Sequence, residues 1–169
     1  MIISSVLEFF IGNTFPFVVF GSFGAFWLSL GATFTPYFNA AIAYQPDDPG
    51  AAMANPTFAT TFAFFPLYMA VLCFFYMILA IRTNLCFLAL FTLMVPGFAC
   101  LAAYFWKAAE GISSPHLAHA AGGIMFTVSL VVWYLFFAQL LEAVDFPISL
   151  PVFDLSRFIK GASDKTKDS

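Results

Sequence analysis

Residues 12–36 read GNTFPFVVFGSFGAFWLSLGATFTP. The stretch carries no charge and is long enough to enter a bilayer, since roughly 20 apolar residues cross the hydrocarbon core. A purely lipid-facing helix would be richer in Leu, Ile and Val. This one also carries Asn13, Thr14, Ser22, Ser29 and Thr33, with Gly21 and Gly24 among them. Polar side chains inside a span usually face another helix or a watery path. Two readings stand side by side. Ser and Thr are common interhelical glue, worth roughly 0.6 kcal/mol each. Hydroxyls and amides also line pathways, where they replace part of a solute's hydration without holding it tightly. Gly21 and Ala25 are four residues apart and form a small patch for close helix approach; Gly24 lies beside them. Pro16 falls in the first turn, where its missing N–H costs little.

The rest of the chain has the same character. Of 169 residues, 62% are hydrophobic and 9% charged, against about 25% charged in an ordinary soluble domain. A chain of this length has no interior large enough to hide so much apolar surface. The reading is an all-α integral membrane protein. The net charge of −3 argues against a nucleic-acid partner, which calls for a basic surface. Between Phe9 and Trp106 the charges are Asp47, Asp48 and Arg82, and all lie between apolar runs. Cys73, Cys86 and Cys100 sit within such runs, at spacings that match no zinc or redox motif, and read as small buried hydrophobes. The start, MIISSVLEFF, lacks the basic region and cleavage site of a secretory signal. Asn55-Pro56-Thr57 resembles a glycosylation acceptor, but Pro in the middle position disqualifies it.

Taken in order, residues 1–11 are too short to span and look like the remnant of a preceding helix. A transmembrane helical domain over 12–141 follows, with spans at about 14–35, 58–81, 85–106 and 116–141. The turn-rich Gln45-Pro46-Asp47-Asp48-Pro49-Gly50 separates the first two spans. Pro66 predicts a kink or a late start in the second span. Pro96-Gly97 predicts a bend or a local break in the third. Residues 142–169 form a tail that ends in disorder-prone GASDKTKDS. Arg157, Lys160, Lys165 and Lys167 assign that tail to the cytoplasm, with Arg82 on the same side and Lys107 on the other.

Enzyme motifs are absent, and no cofactor is implied. His116 and His119 share a spacing suited to one helix face but have no third ligand nearby in sequence, so no metal site is expected. Glu142 and Asp145 read as solvated helix-end acids or, alternatively, a proton relay. Gln139, one turn inside Glu142, is the better candidate for lining. The informative polar set inside the spans is Ser22, Ser29, Thr92, Thr127, Ser129 and Gln139.

Several motifs then converge on one family. Glu8-Phe9, Gly12-Asn13-Thr14-Phe15 and Phe20-Gly21-Ser22-Phe23-Gly24-Ala25-Phe26-Trp27 open the match. Arg82-Thr83-Asn84, Ala121-Gly122-Gly123, Trp133-Tyr134 and Leu150-Pro151-Val152-Phe153-Asp154-Leu155-Ser156 continue it. Together they resemble the acetate uptake transporter family (YaaH-like or SatP-like), in its fungal branch. The resemblance implies a six-helix transporter or channel bundle, assembled as a homohexamer, that moves acetate and other short monocarboxylates, in some members succinate, often with a proton. It puts Phe23 at the aromatic gate of the third helix and Leu93 at the leucine gate of the fifth. It also implies that the family's N-P-A-P-L-G-L signature and first two helices would precede Glu8. About four of the six helices are then represented, and the pathway wall is incomplete. Phe153 stands where the family pattern has glycine.

The resulting expectation is a proton-coupled or channel-like monocarboxylate pathway in the plasma membrane. Its lining would come from Asn13, Thr14, Ser22, Phe23, Trp27, Thr92, Leu93 and Gln139. Gly21, Gly24, Ala25, Gly122 and Gly123 would serve helix packing. The partners expected are small carboxylate anions, protons, the lipid bilayer and further copies of the chain. The alternative is a four-span subunit that does not transport but assembles with longer relatives.

Overall fold

A computed structural model describes residues 1–156. The basic residues Arg157, Lys160, Lys165 and Lys167 and the GASDKTKDS end lie outside the described residues. The described chain is helical, with elements α1 (Ile2–Ile11), α2 (Thr14–Phe34), α3 (Pro56–Phe62), α4 (Phe64–Ala80), α5 (Leu85–Ala109) and α6 (Pro115–Ala143). Short 3-10 turns at Pro36–Phe38, Ile42–Tyr44 and Ala52–Ala54 fill the connection after α2. Among the described residues four stretches are long and apolar enough to cross a membrane: α2, α3 with α4, α5 and α6. This is an all-α membrane protein. Contacts divide it into two compact units, Met1–Phe58 and Ala59 onward.

In the first unit α1 packs on α2. The turn between them follows from Gly12. Its φ of 86° is left-handed, and the Gly12 and Asn13 amides donate to the Phe9 and Glu8 carbonyls. A residue without Cβ takes this helix-ending geometry without strain. The ten residues of α1 extend about 15 Å, half of a bilayer core. At the end of this unit Asn55 occupies the N-cap of α3, and its side chain accepts from the Thr57 amide at 2.8 Å. Pro56 follows at the first helical position, where its fixed φ suits a helix start.

In the second unit α4 packs on α5 and α5 on α6. The division between α3 and α4 falls at Ala63, with Pro66 in the first turn of α4. Proline cannot donate to the carbonyl four residues back and its ring crowds that carbonyl; here that is Phe62, the last residue of α3. Of the two expectations at Pro96-Gly97, a bend or a local break, the break does not occur: α5 runs helical through both residues. Gly97 is buried against α6, where an added Cβ would lie 2.8 Å from Met125 Cε and 3.1 Å from Ile124 Cγ2. Its small size is used for helix approach. Phe91, Phe98, Pro66 and Cys73 are the largest fully buried side chains among the described residues.

Arg82-Thr83-Asn84 closes α4 and opens α5. Thr83 Oγ1 donates to the Ala80 carbonyl at 2.8 Å, and Asn84 Oδ1 accepts from the Phe87 amide at 2.9 Å. Asn84→Ala removes that cap and is expected to destabilise the protein by about 1 kcal/mol. Reversible unfolding in mixed detergent micelles measures it, with Asn84→Asp, which keeps an acceptor, expected near wild type.

Candidate functional site

On α2, Asn13 holds the N-cap position without a side-chain cap bond. Its amide donates to Glu8 Oε2 at 2.7 Å and ties the start of α2 to the end of α1. Thr14 is exposed beside it. Half-buried Ser22 donates to the Val19 carbonyl at 3.0 Å. Phe23 is buried, at 4% exposure. Trp27 is half-exposed, with its ring 5.0 Å from that of Phe26. Gly21 and Gly24 face α1: a Cβ at Gly21 would sit 2.9 Å from Ser5 Oγ, and one at Gly24 2.7 Å from Ile2 Cδ1. Ser5 is buried there and donates to the Phe17 carbonyl at 2.8 Å. Ala25 is exposed.

In the second unit, exposed Thr92 donates to the Leu88 carbonyl at 2.7 Å, and neighbouring Leu93 is half-buried. Thr127 and Ser129 donate to the Gly123 and Phe126 carbonyls at 3.0 and 2.6 Å. These hydroxyls, like that of Ser22, donate to carbonyls of their own helix. A Cβ at Gly122 or Gly123 would meet nothing within 4 Å.

Gln139 lines a cleft of about 490 Å³ with Asn84, Phe87, Glu142 and Asp145. Thr92 and Leu93 are not among its lining residues. The far wall of the cleft is the segment after α6, which returns to the α4–α5 turn. The Leu85 amide donates to the Phe153 carbonyl at 3.0 Å, and the Leu155 amide to the Thr83 carbonyl at 2.9 Å. Asn84 and Asp154 form an antiparallel bridge between them. Tyr134 Oη, on α6, donates to the Pro151 carbonyl at 2.7 Å. Three separate motifs, Arg82-Thr83-Asn84, Trp133-Tyr134 and Leu150–Ser156, therefore meet at one end of this unit. Sequence reading singled out each without showing that they touch. Its one hint was Phe153, whose φ is 54°. Left-handed backbone costs a residue with a Cβ roughly 1–2 kcal/mol.

The sequence matches the GPR1/FUN34/yaaH family over residues 1–157. The chain belongs to this family. Among GPR1/FUN34/yaaH relatives, the protein named alcS of Aspergillus fumigatus is 41% identical over 94% of this chain and 60% of its own length. The protein named acetate transporter protein patA of Aspergillus clavatus is 33% identical over 86% of this chain and 57% of its own. Ammonia transport outward protein 2 of Saccharomyces cerevisiae is 28% identical over 79% of this chain and 43% of its own. The chain thus spans about three fifths or less of the length of these relatives. No solved structure matches it. The family match reaches past Ser156 and takes in the whole returning segment.

The loop after α5 forms a second cleft, about 460 Å³, that includes His119, Tyr104, Ser113 and Ser114. His119 and His116 are both exposed. Lys107 pairs with Glu110 at 2.8 Å nearby, an exposed bridge of little energetic weight. Among the described residues no group of three His, Cys, Asp or Glu side chains is placed to hold a metal ion.

Proposed function

We propose that this chain acts in membrane transport of acetate and other short monocarboxylates, accompanied by a proton. The observation that carries the reading is family membership across nearly the whole chain, with a relative named as an acetate transporter. A carboxyl group titrates near 4, so acetate at neutral pH is an anion. A bare charge in the bilayer core is costly. The hydroxyls of Ser22, Thr92, Thr127 and Ser129 donate to backbone carbonyls. A hydroxyl whose proton is used in this way, as at Thr92, can still accept, which suits a protonated acid, a hydrogen-bond donor, better than a carboxylate, which only accepts. The proposed lining residues are Asn13, Thr14, Ser22, Phe23 and Trp27 in the first unit and, separately, Thr92, Leu93 and Gln139 in the second, with Phe23 and Leu93 as the apolar constriction of each. The proposed setting is the plasma membrane, with the end of the chain in the cytoplasm and several copies assembled together.

The test is uptake of labelled acetate by a transporter-deficient fungal host. Expression of the chain is expected to raise uptake above the empty host, and the increment to grow as external pH falls from 7 to 5. No increment, with the protein verified in the membrane, overturns transport by this chain. Labelled methylammonium in the same cells separates acetate from the substrate named for the Saccharomyces relative.

A further inference from the structure

We propose that residues 144–156 form a reversible strap that controls water access to the cleft beneath it. The cleft floor includes Ala138 and Leu135 on α6, each 7% exposed, and the strap supplies Ile148, Leu150 and Val152 to the opposite wall. Asn84, Gln139, Glu142 and Asp145 give the same space polar groups that water can solvate once it opens.

The strap starts from a hinge on α6, where the Val144, Asp145 and Phe146 amides donate to the Leu140, Glu142 and Leu141 carbonyls. Beyond that hinge, two backbone bonds reach the α4–α5 turn, and the Tyr134 hydroxyl donates to the Pro151 carbonyl. Between Ala143 and Ser149 every residue is exposed; only Leu150, Val152 and Leu155 are half-buried beyond that. Segments with so little buried contact open at a small fraction of the global unfolding free energy. Both ends also carry left-handed backbone on residues with a Cβ, at Asp145 (φ 52°) and Phe153 (φ 54°). Aspartate tolerates this conformation better than phenylalanine. Such strain persists only where its surroundings over-determine it. At Phe153 the carbonyl accepts from the Leu85 amide and the ring is half-exposed. The strap is therefore closed by a small margin, and single substitutions should move it in opposite directions. Tyr134→Phe removes one anchor without removing the ring. Phe153→Gly leaves the anchors and relieves the strained backbone.

The probe is Ala138→Cys in a chain whose Cys73, Cys86 and Cys100 are replaced by alanine, purified in detergent and labelled with a charged, water-soluble maleimide. Ser113→Cys in the loop after α5 is the control position. Tyr134→Phe is expected to speed labelling at position 138 roughly fivefold, the effect of one lost hydrogen bond on the open population. Phe153→Gly is expected to slow it roughly threefold to tenfold. Position 113 should not respond to either. Equal labelling in all three backgrounds, or shifts in the same direction, would overturn the strap. If Tyr134→Phe fails to fold, the slowing by Phe153→Gly decides alone. Labelling needs no transported solute, so its outcome is independent of acetate uptake.

Discussion

Phe91→Ala is expected to destabilise the α4–α6 unit by about 3–4 kcal/mol. Phe91 is fully buried on α5, with its ring 5.4 Å from that of Tyr76 on α4 and 6.4 Å from Phe87 in a stacked arrangement. In water the loss would include the transfer of the ring from solvent. In a bilayer that part is small, because lipid is as apolar as the protein interior. The cavity remains. At about 24 cal/mol per Å³, a void on the order of 100 Å³ costs about 2.4 kcal/mol. Loss of the Tyr76 ring contact adds about 0.5–1.5 kcal/mol where the surroundings do not relax. Reversible unfolding in sodium dodecyl sulfate mixed micelles gives the number. Phe75→Ala is the matched control: that ring is 55% exposed on α4 and should change stability by less than about 0.5 kcal/mol. Equal effects at the two positions would mean that Phe91 is not the core of this unit.

The same contrast between Phe91 and Phe75 shows where sequence reading stops. Hydropathy makes spanning segments legible, because each must be apolar along its whole length whatever it touches. It says little about which ring faces lipid and which faces protein when both environments are apolar. Pro66 and Pro96 illustrate the second limit. Each removes one backbone bond, yet the chain divides near Pro66 and stays helical through Pro96. Next to Pro96, Gly97 packs against Met125 and Ile124 of α6, and that neighbour is invisible in a one-dimensional pattern. The polar set inside the spans is a third case. Ser22, Thr92, Thr127 and Ser129 each satisfy a proton within their own helix, so polarity alone does not distinguish lining from self-contained hydroxyls. The strap was least legible of all. Its contacts join residues 83–85, 134 and 151–155, and nothing local in those segments announces the meeting. A phenylalanine in left-handed backbone leaves only an indirect trace in the sequence.

Gly24→Val is expected to drive the start of α1 away from α2. A Cβ at position 24 would already lie 2.7 Å from Ile2 Cδ1 and 3.1 Å from the Ile2 backbone nitrogen. The side-chain carbon can swing aside; the backbone nitrogen moves only with the helix. Valine adds two further carbons with a stiff χ1, and overpacking of this kind costs about 1–3 kcal/mol. Alanine at the same position should have the same effect at smaller size. The displacement should be uneven along α1. At its far end the Gly12 turn and the Asn13–Glu8 bond join α1 covalently and polarly to α2, so the helix should splay about that turn. Hydrogen exchange in micelles resolves the pattern. The Ser5 amide, which donates to the Met1 carbonyl, and the Val6 amide next to it should exchange roughly tenfold faster or more. The Gly12 and Asn13 amides should change little. Uniform acceleration along the whole helix would indicate general unfolding of the first unit. No acceleration would show that α1 does not pack on α2 in this register, and the reading of Gly21 and Gly24 as close-approach positions against Ser5 and Ile2 would fail with it.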